Sequence, residues 1–251
     1  GFAQENCDGE SDVKNVLILI DTTTPLRGGQ TQYLLDNYIK AFQWENKGDR
    51  FSIVALGAED STQLPVESLC APKPYSKRNW FMDSEDELRN QNEVFRWLVK
   101  KSFDEIIKKA NPEPAQKSLI MEGVTEIFRN KRYGFADARN RKLVLISDLY
   151  QNSKVLNFYD LCKAKRDVLD VYGKAQRNCP DYPTSVTAKN KSYMVAARPR
   201  LKPSDQFEVY WMNNDGRLDD TAESFWKGYF EAAGLPKENL KITRELEHYE
   251  N

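Results

Sequence analysis

Two aspartates stand where a carboxylate can do chemistry. Val16-Leu17-Ile18-Leu19-Ile20 runs directly into Asp21, and Lys142-Leu143-Val144-Leu145-Ile146 runs through Ser147 into Asp148. A continuous aliphatic run rich in β-branched residues suits a strand covered on both faces, as in the centre of a parallel sheet. In open α/β sheets, ligands sit outside the carboxyl ends of such strands, near the point where strand order reverses. Both aspartates are therefore expected at one site. With the hydroxyls of Thr22, Thr23, Thr24 and Ser147 they make a set of hard oxygen donors, matched to Mg2+, Mn2+ or Ca2+ better than to zinc. Either aspartate alone reads first as a cap accepting backbone N–H groups from the turn that follows it, and the paired placement is what brings the ligand reading level with that one.

Other chemistries find less support. His248, three residues from the C-terminus, is the single histidine and is expected to be exposed, which argues against a nucleophile–histidine pair. No G-x-x-x-x-G-K-[ST] loop or G-x-G-x-x-G turn occurs, so nucleotide binding through a phosphate cradle has no sequence support. Arg27-Gly28-Gly29 reads as a flexible turn.

The elements that must position the aspartates follow a β/α alternation. After a turn-prone stretch from Thr22 to Gly29, Leu34, Tyr38, Ala41 and Phe42 recur at helical spacing, and Phe51 to Gly57 reads as a second apolar strand. That is a βαβ unit, with the second strand beside the first. Residues 58–86 hold three prolines and read as an insertion carrying at most a short edge strand around Leu64 to Leu69. Glu87 to Ala110 is an amphipathic helix with Phe95, Val99, Phe103, Ile106 and Ala110 on one face, and Ser118 opens another that runs to about Arg129. Residues 154–177 read as helical, and 178–205 as a second, irregular insertion. Phe207 to Met212 has strand composition. Asp220 with Glu223 resembles a capping box opening a helix whose face carries Phe225, Trp226, Tyr229, Phe230 and Ala233. Gly234-Leu235-Pro236 stops that helix, and Leu240 to Arg244 supplies a last edge strand. The expected fold is α/β: a three-layer sandwich with a mostly parallel central sheet, one domain over 13–246 after a polar leader at 1–12.

At 251 residues, such a chain buries roughly 70–75% of the surface it exposes unfolded. Lys and Arg number 37 against 38 Asp and Glu, a balance without the basic footprint of a nucleic-acid binder. The run Lys163 to Arg166 reads as a solvated helix face. No stretch approaches the roughly 20 apolar residues needed to cross a bilayer. Cys7, Cys70, Cys162 and Cys179 are widely spaced; three lie beside loop signals, where a disulfide staples a loop, although four unpaired thiols in a cytoplasmic protein fit the same spacing. The opening Gly-Phe-Ala-Gln-Glu-Asn-Cys fits what remains after removal of a signal peptide, so export to the periplasm or beyond the cell is expected, with a cytoplasmic location as the alternative. Tyr75, Trp80 and Phe81, in or beside the first insertion, are candidate partner contacts, or else a lid folded onto the core.

Taken together, the chain from about 13 to 245 resembles the von Willebrand factor A-like domains, which include the integrin inserted domains. The run into Asp21-Thr22-Thr23-Thr24-Pro25 looks like their D-x-S-x-S loop, with Asp21 and Thr23 on the first two ligand positions. Ser118 stands in the place of the second-loop threonine, and Leu145-Ile146-Ser147-Asp148 looks like the fourth-strand ending. The resemblance implies a non-enzymatic module of bacterial origin that binds a protein partner. Its metal-ion-dependent adhesion site (MIDAS) would draw on Asp21, Thr23, Ser118 and Asp148 for Mg2+ or another divalent cation. Pro25 departs from the pattern, since proline has no side-chain oxygen where the family has a second serine; the alternative is a degenerate site whose polar groups bond one another or water. A metal-dependent hydrolase using Asp21 and Asp148 for phosphoryl transfer competes with this reading. Its haloacid dehalogenase-type D-x-D motif lacks the second aspartate, because Thr23 occupies that position.

Overall fold

The aliphatic run ahead of Asp21 forms strand β1 (Lys14–Asp21), and the one ahead of Asp148 forms β4 (Asn140–Ser147). The computed structural model describes residues 14–21, 29–34, 36, 50–56, 66–70, 85–109, 118–136, 138–153, 199–211 and 219–244. Four further strands are β2 (Arg50–Leu56), β3 (Val66–Cys70), β5 (Gln206–Trp211) and β6 (Leu240–Thr243). The helices are a short segment at 29–34, α1 (Glu85–Lys109), α2 (Ile120–Arg129) and α3 (Asp219–Ala232).

The six strands form one sheet in the order β3-β2-β1-β4-β5-β6, parallel throughout except for the edge strand β3, which runs antiparallel to β2. The chain builds outward from β1 to β3, then returns to lay β4 on the other side of β1. The switch point of this Rossmann-like sheet therefore lies between β1 and β4. Ile20 pairs with Ile146, so Asp21 and Ser147 stand level at the carboxyl edge.

Alternation along the strands sorts the core into two layers. Leu17 and Leu19 face a cluster with Leu143, Leu145, Phe207, Val209 and the buried faces of α2 and α3. Val16, Ile18 and Ile20 face Phe95, Val99, Phe103 and Ile106 of α1, together with Leu34 from the 29–34 segment. Helices thus cover both faces, and the sandwich has three layers. The aromatic stripe of α3 is fully buried at Phe225, Trp226, Tyr229 and Phe230. Gly234 ends α3 at φ 108°, with the Leu235 N–H bonded to the Phe230 carbonyl. This is a Schellman-type stop, open to glycine because it lacks a Cβ.

Three sequence expectations shift. The edge strand is Val66–Cys70, and Cys70 is disulfide-bonded. The last helix begins at Asp219, which puts Asp220 in its first turn rather than at the cap. The end of the second insertion is fixed to the core, because Asp205 accepts two bonds from Arg141 of β4. The expected helix at 154–177, most of that insertion, Cys7, Cys162, Cys179 and His248 lie outside the described residues.

Glu208 on β5 gives the fold a pH signature. Burial alone would raise its pKa, but the Lys142 ammonium at 3.0 Å, the Tyr210 hydroxyl at 2.8 Å and the Lys241 ammonium at 3.7 Å outweigh it, and the net pKa is lowered. A carboxylate with a depressed folded pKa adds stability that is complete above its unfolded value and is lost as pH falls through the folded one. Denaturation of wild type and Glu208→Gln at falling pH is thus expected to show the wild-type advantage shrinking below the ordinary glutamate pKa of about 4.3. A pH-independent difference would contradict it.

Candidate functional site at the carboxyl edge of the sheet

Asp21 is the last residue of β1 and continues the alternation of Leu17 and Leu19, so its side chain turns toward the α2 layer. It is 1% exposed. Two hydroxyls from separate segments, the end of β4 and the stretch ahead of α2, converge on one of its oxygens: Ser147 Oγ donates to Oδ2 at 2.7 Å and Ser118 Oγ donates to the same atom at 2.9 Å. A serine hydroxyl carries one proton and two lone pairs. The Ser147 oxygen also accepts the Leu149 N–H at 2.9 Å, which fixes its orientation.

Asp148 follows directly and is also buried. Its Oδ1 accepts the Tyr150 N–H at 3.0 Å, closing a tight turn. Leu149, inside that turn, has φ 62° and is fully buried. A left-handed conformation costs a branched residue about 1–2 kcal/mol, so the surroundings must hold it. They do so at both ends of the residue: Ser147 takes its N–H, and the indole N–H of Trp226 on α3 donates to its carbonyl at 2.8 Å.

Gln151, 0% exposed, ties this loop to the one that carries Ser118. The N-cap residue of α2, Leu119, offers no side-chain oxygen; Gln151 Oε1 instead accepts the Met121 N–H at 2.9 Å. Its Nε2 donates to Glu122 and to Ser153, and Ser153 donates to Glu122 in turn. Backbone bonds of 2.9 Å in both directions join Ser118 to Asn152. This bridge corrects the expectation that Ser118 opens the helix. α2 starts at Ile120, and Ser118 stands ahead of it in an extended pairing that turns its side chain to Asp21.

The structure brings Ser118 and Ser147 onto Asp21, and Asp148 follows Ser147 at the end of β4. Thr23 and Pro25 lie outside the described residues, as do Tyr75, Trp80 and Phe81. Among the described residues the large exposed hydrophobics are Val94 and Trp97 on α1. Their positions off the Phe95–Val99 stripe are the signal that would have found them. Nothing in the sequence marks Gln151, whose partners on α2 are about thirty residues away.

The donor set is oxygen only. No group of three or more His, Cys, Asp or Glu side chains gathers among the described residues. A cation at this edge would thus draw on hydroxyl oxygens and water as well as carboxylate, a composition that suits Mg2+ or Ca2+. The Ser118 and Ser147 oxygens keep lone pairs beyond the bonds they make here.

No protein-family model and no curated protein matches this sequence. Among solved structures, the chain is similar to a von Willebrand factor type A protein from Catenulispora acidiphila, at 11% identity and a TM-score of 0.36 over 94% of this chain and 40% of that one. It is also similar to the pilus adhesin RrgA from Streptococcus pneumoniae, at 8% identity and a TM-score of 0.34 over 95% of this chain and 43% of that one. The chain spans about two fifths of the length of either. Strand order and the antiparallel edge, rather than these distant alignments, carry the assignment: the fold is a three-layer α/β sandwich on a mostly parallel, Rossmann-like sheet.

Proposed function

We propose that this chain is a non-enzymatic protein-interaction module that recognises its partner at the carboxyl edge of the sheet. One observation carries the reading: hydroxyls from the end of β4 and from the segment ahead of α2 converge on a single buried carboxylate oxygen of Asp21 at the switch point where such sheets bind ligands. Buried polar side chains this concentrated serve binding more than stability, since packing alone favours apolar residues there.

In this reading Asp21, Ser118, Ser147 and Asp148, with Thr23 from the adjoining loop, hold a divalent cation. The cation supplies an open position for an acidic side chain of the partner. Disulfide bonding of Cys70 supports an exported protein, periplasmic or secreted, because such bonds persist in oxidising compartments. No helix among the described residues is long and apolar enough to cross a membrane.

Calorimetric titration of Mg2+ and Ca2+ into wild type and Asp21→Ala tests the proposal. Wild type is expected to bind with measurable heat, and the variant to bind at least about a hundredfold more weakly, beyond the loss typical of removing an outer-sphere partner. Absence of heat in both would remove the cation and leave a hydrogen-bonded polar site. Turnover of a generic phosphate ester with Mg2+, abolished by Asp21→Asn, would overturn the non-enzymatic reading.

A further inference from the structure

Helix α1 buries Phe95, Val99, Phe103 and Ile106 against the sheet but turns two large apolar side chains to solvent. Val94 is 56% exposed and Trp97 is 58% exposed. The Lys101 ammonium lies 5.1 Å over the Trp97 ring, one turn along the same face. Asn90, Val94, Trp97, Lys101 and Asp104 recur at alternating four- and three-residue spacing, the seam along which one helix packs on another, and all five are exposed.

The charges on this face are ordered about one point. α1 runs from Glu85 to Lys109, so Trp97 is its midpoint. Glu93 and Lys101 stand four residues to either side of Trp97, and Arg89 and Glu105 stand eight to either side. Each pair joins opposite signs. Val94 mirrors Lys100 at three residues, and Asn90 mirrors Asp104 at seven. In residue type, Asp86 and Lys108 continue the pattern further out. Arg96, off the seam, is held by Asp36 at 3.2 Å.

Such a pattern is complementary to itself. Two copies of α1 packed antiparallel about a two-fold axis at Trp97 set each residue opposite the one equally far beyond the other midpoint, so every contact occurs twice. Glu93 then faces Lys101 of the second copy, and Arg89 faces its Glu105. The Lys100 stem lies on Val94 of the second copy, the Asn90 amide can donate to the Asp104 carboxylate, and the two indoles meet at the centre. A parallel pairing would instead set Glu93 beside Glu93 and Lys101 beside Lys101. Exposed ion pairs within one helix are weak, so bonds these side chains make in the monomer exchange readily on docking.

We propose that this face of α1 docks a second copy of the chain, as an antiparallel two-fold dimer. A match centred on the midpoint of the helix itself is what self-association requires, and an unrelated partner gives no reason for it. One helix face per copy falls short of the standard interface of about 1,600 Å2, so a dissociation constant of about 10–100 µM is expected. Asp21 turns toward the α2 layer while α1 covers the other face of the sheet. The dimer therefore leaves the carboxyl-edge site open in both copies, and the proposal is independent of the cation reading. Two sites on one particle would strengthen attachment to a partner that displays repeated epitopes.

Sedimentation equilibrium of the full chain from about 1 to about 300 µM, a range that spans the affinity of so small an interface, tests it. Wild type is expected to show a reversible monomer–dimer equilibrium, and Trp97→Ala to weaken it at least about thirtyfold, as truncation of a central anchor does. Glu93→Lys or Lys101→Glu alone should weaken it about a hundredfold, because each reversal sets like charges together at two contacts. Mixing those two single variants restores opposite charges at both contacts and should yield a mixed dimer within about tenfold of wild-type affinity. Lys237→Glu, an exposed reversal beside β6, should change nothing. Unchanged melting temperatures establish that the variants are folded. A wild type that stays monomeric to the top of the range would overturn the proposal and leave the face to a partner of another kind. A dimer indifferent to Trp97→Ala, or single variants that fail to associate on mixing, would overturn it equally.

Discussion

Replacing Asp205 by alanine is expected to destabilise the protein by about 3–5 kcal/mol, the cost of leaving one member of a buried ion pair uncompensated. The Arg141 and Asp205 side chains are 3% and 0% exposed. Arg141 Nε and Nη2 reach the two carboxylate oxygens at 2.7 and 2.6 Å, a bidentate fork. The guanidinium also bonds the Phe135 carbonyl and lies 4.7 Å over the Phe128 ring, and Asp205 receives the Lys202 N–H at 2.7 Å. Alanine at 205 strands the guanidinium in this enclosure and frees the Lys202 turn. The double variant Arg141→Met, Asp205→Leu should recover most of the loss, since it removes both desolvation penalties together. Urea denaturation measures both variants. A single variant within about 1 kcal/mol of wild type would show that water reaches the pair.

The same pair illustrates what the sequence concealed. Asp205 sits in an irregular stretch rich in proline and lysine, and its partner is 64 residues away. No local pattern announces such a bond. The central strands were legible because a strand buried on both faces must be aliphatic throughout, and few other elements produce five such residues in a row. Helix α1 was legible because its stripe keeps a 3.6-residue period over many turns. The edge strand β3 is five residues long and sets Glu67 and Ser68 between Val66 and Leu69, so its pattern is weak, and its direction depends on pairing with β2 rather than on its own residues.

At the site, legibility followed the same division. Asp21 and Asp148 stand at strand ends, and strand ends of a parallel sheet converge by topology alone. Ser118 is legible as a neighbour of Asp21 but not in its local structure. Its hydroxyl suggests a helix cap, yet backbone pairing with Asn152 takes it out of helical register and turns it to Asp21. Gln151 then performs the capping from a distant loop. A fully buried glutamine that serves two elements has no signature, because its identity is set by the geometry of groups it meets only in the fold.

Trp226 links that geometry to α3, which packs beside α2 in the same layer, and its removal should have the other large effect. The indole is fully buried and makes ring contacts with Phe225, Tyr229 and Phe230 at centroid distances of 5.2–5.5 Å. Trp226→Ala is expected to cost about 3–5 kcal/mol, through lost burial and the cavity left behind. Trp226→Phe keeps the six-membered ring but removes the N–H that reaches the Leu149 carbonyl together with part of the buried indole, an expected loss of about 1–3 kcal/mol. The two variants should differ in kind as well as size. Leu149 stays at φ 62° because its N–H and its carbonyl are both held; with the carbonyl released, the turn between Asp148 and Gln151 can relax. Amide hydrogen exchange should then accelerate at Leu149 and Tyr150 in Trp226→Phe by about tenfold, following the lost bond, while the centre of β4 stays protected. Equal exchange in Trp226→Phe and wild type would mean that Ser147 and the packing around Leu149 hold the turn unaided. In that case α2 and α3 would contribute to the site independently, and α3 would bear on Asp148 only through the bulk of its aromatic face.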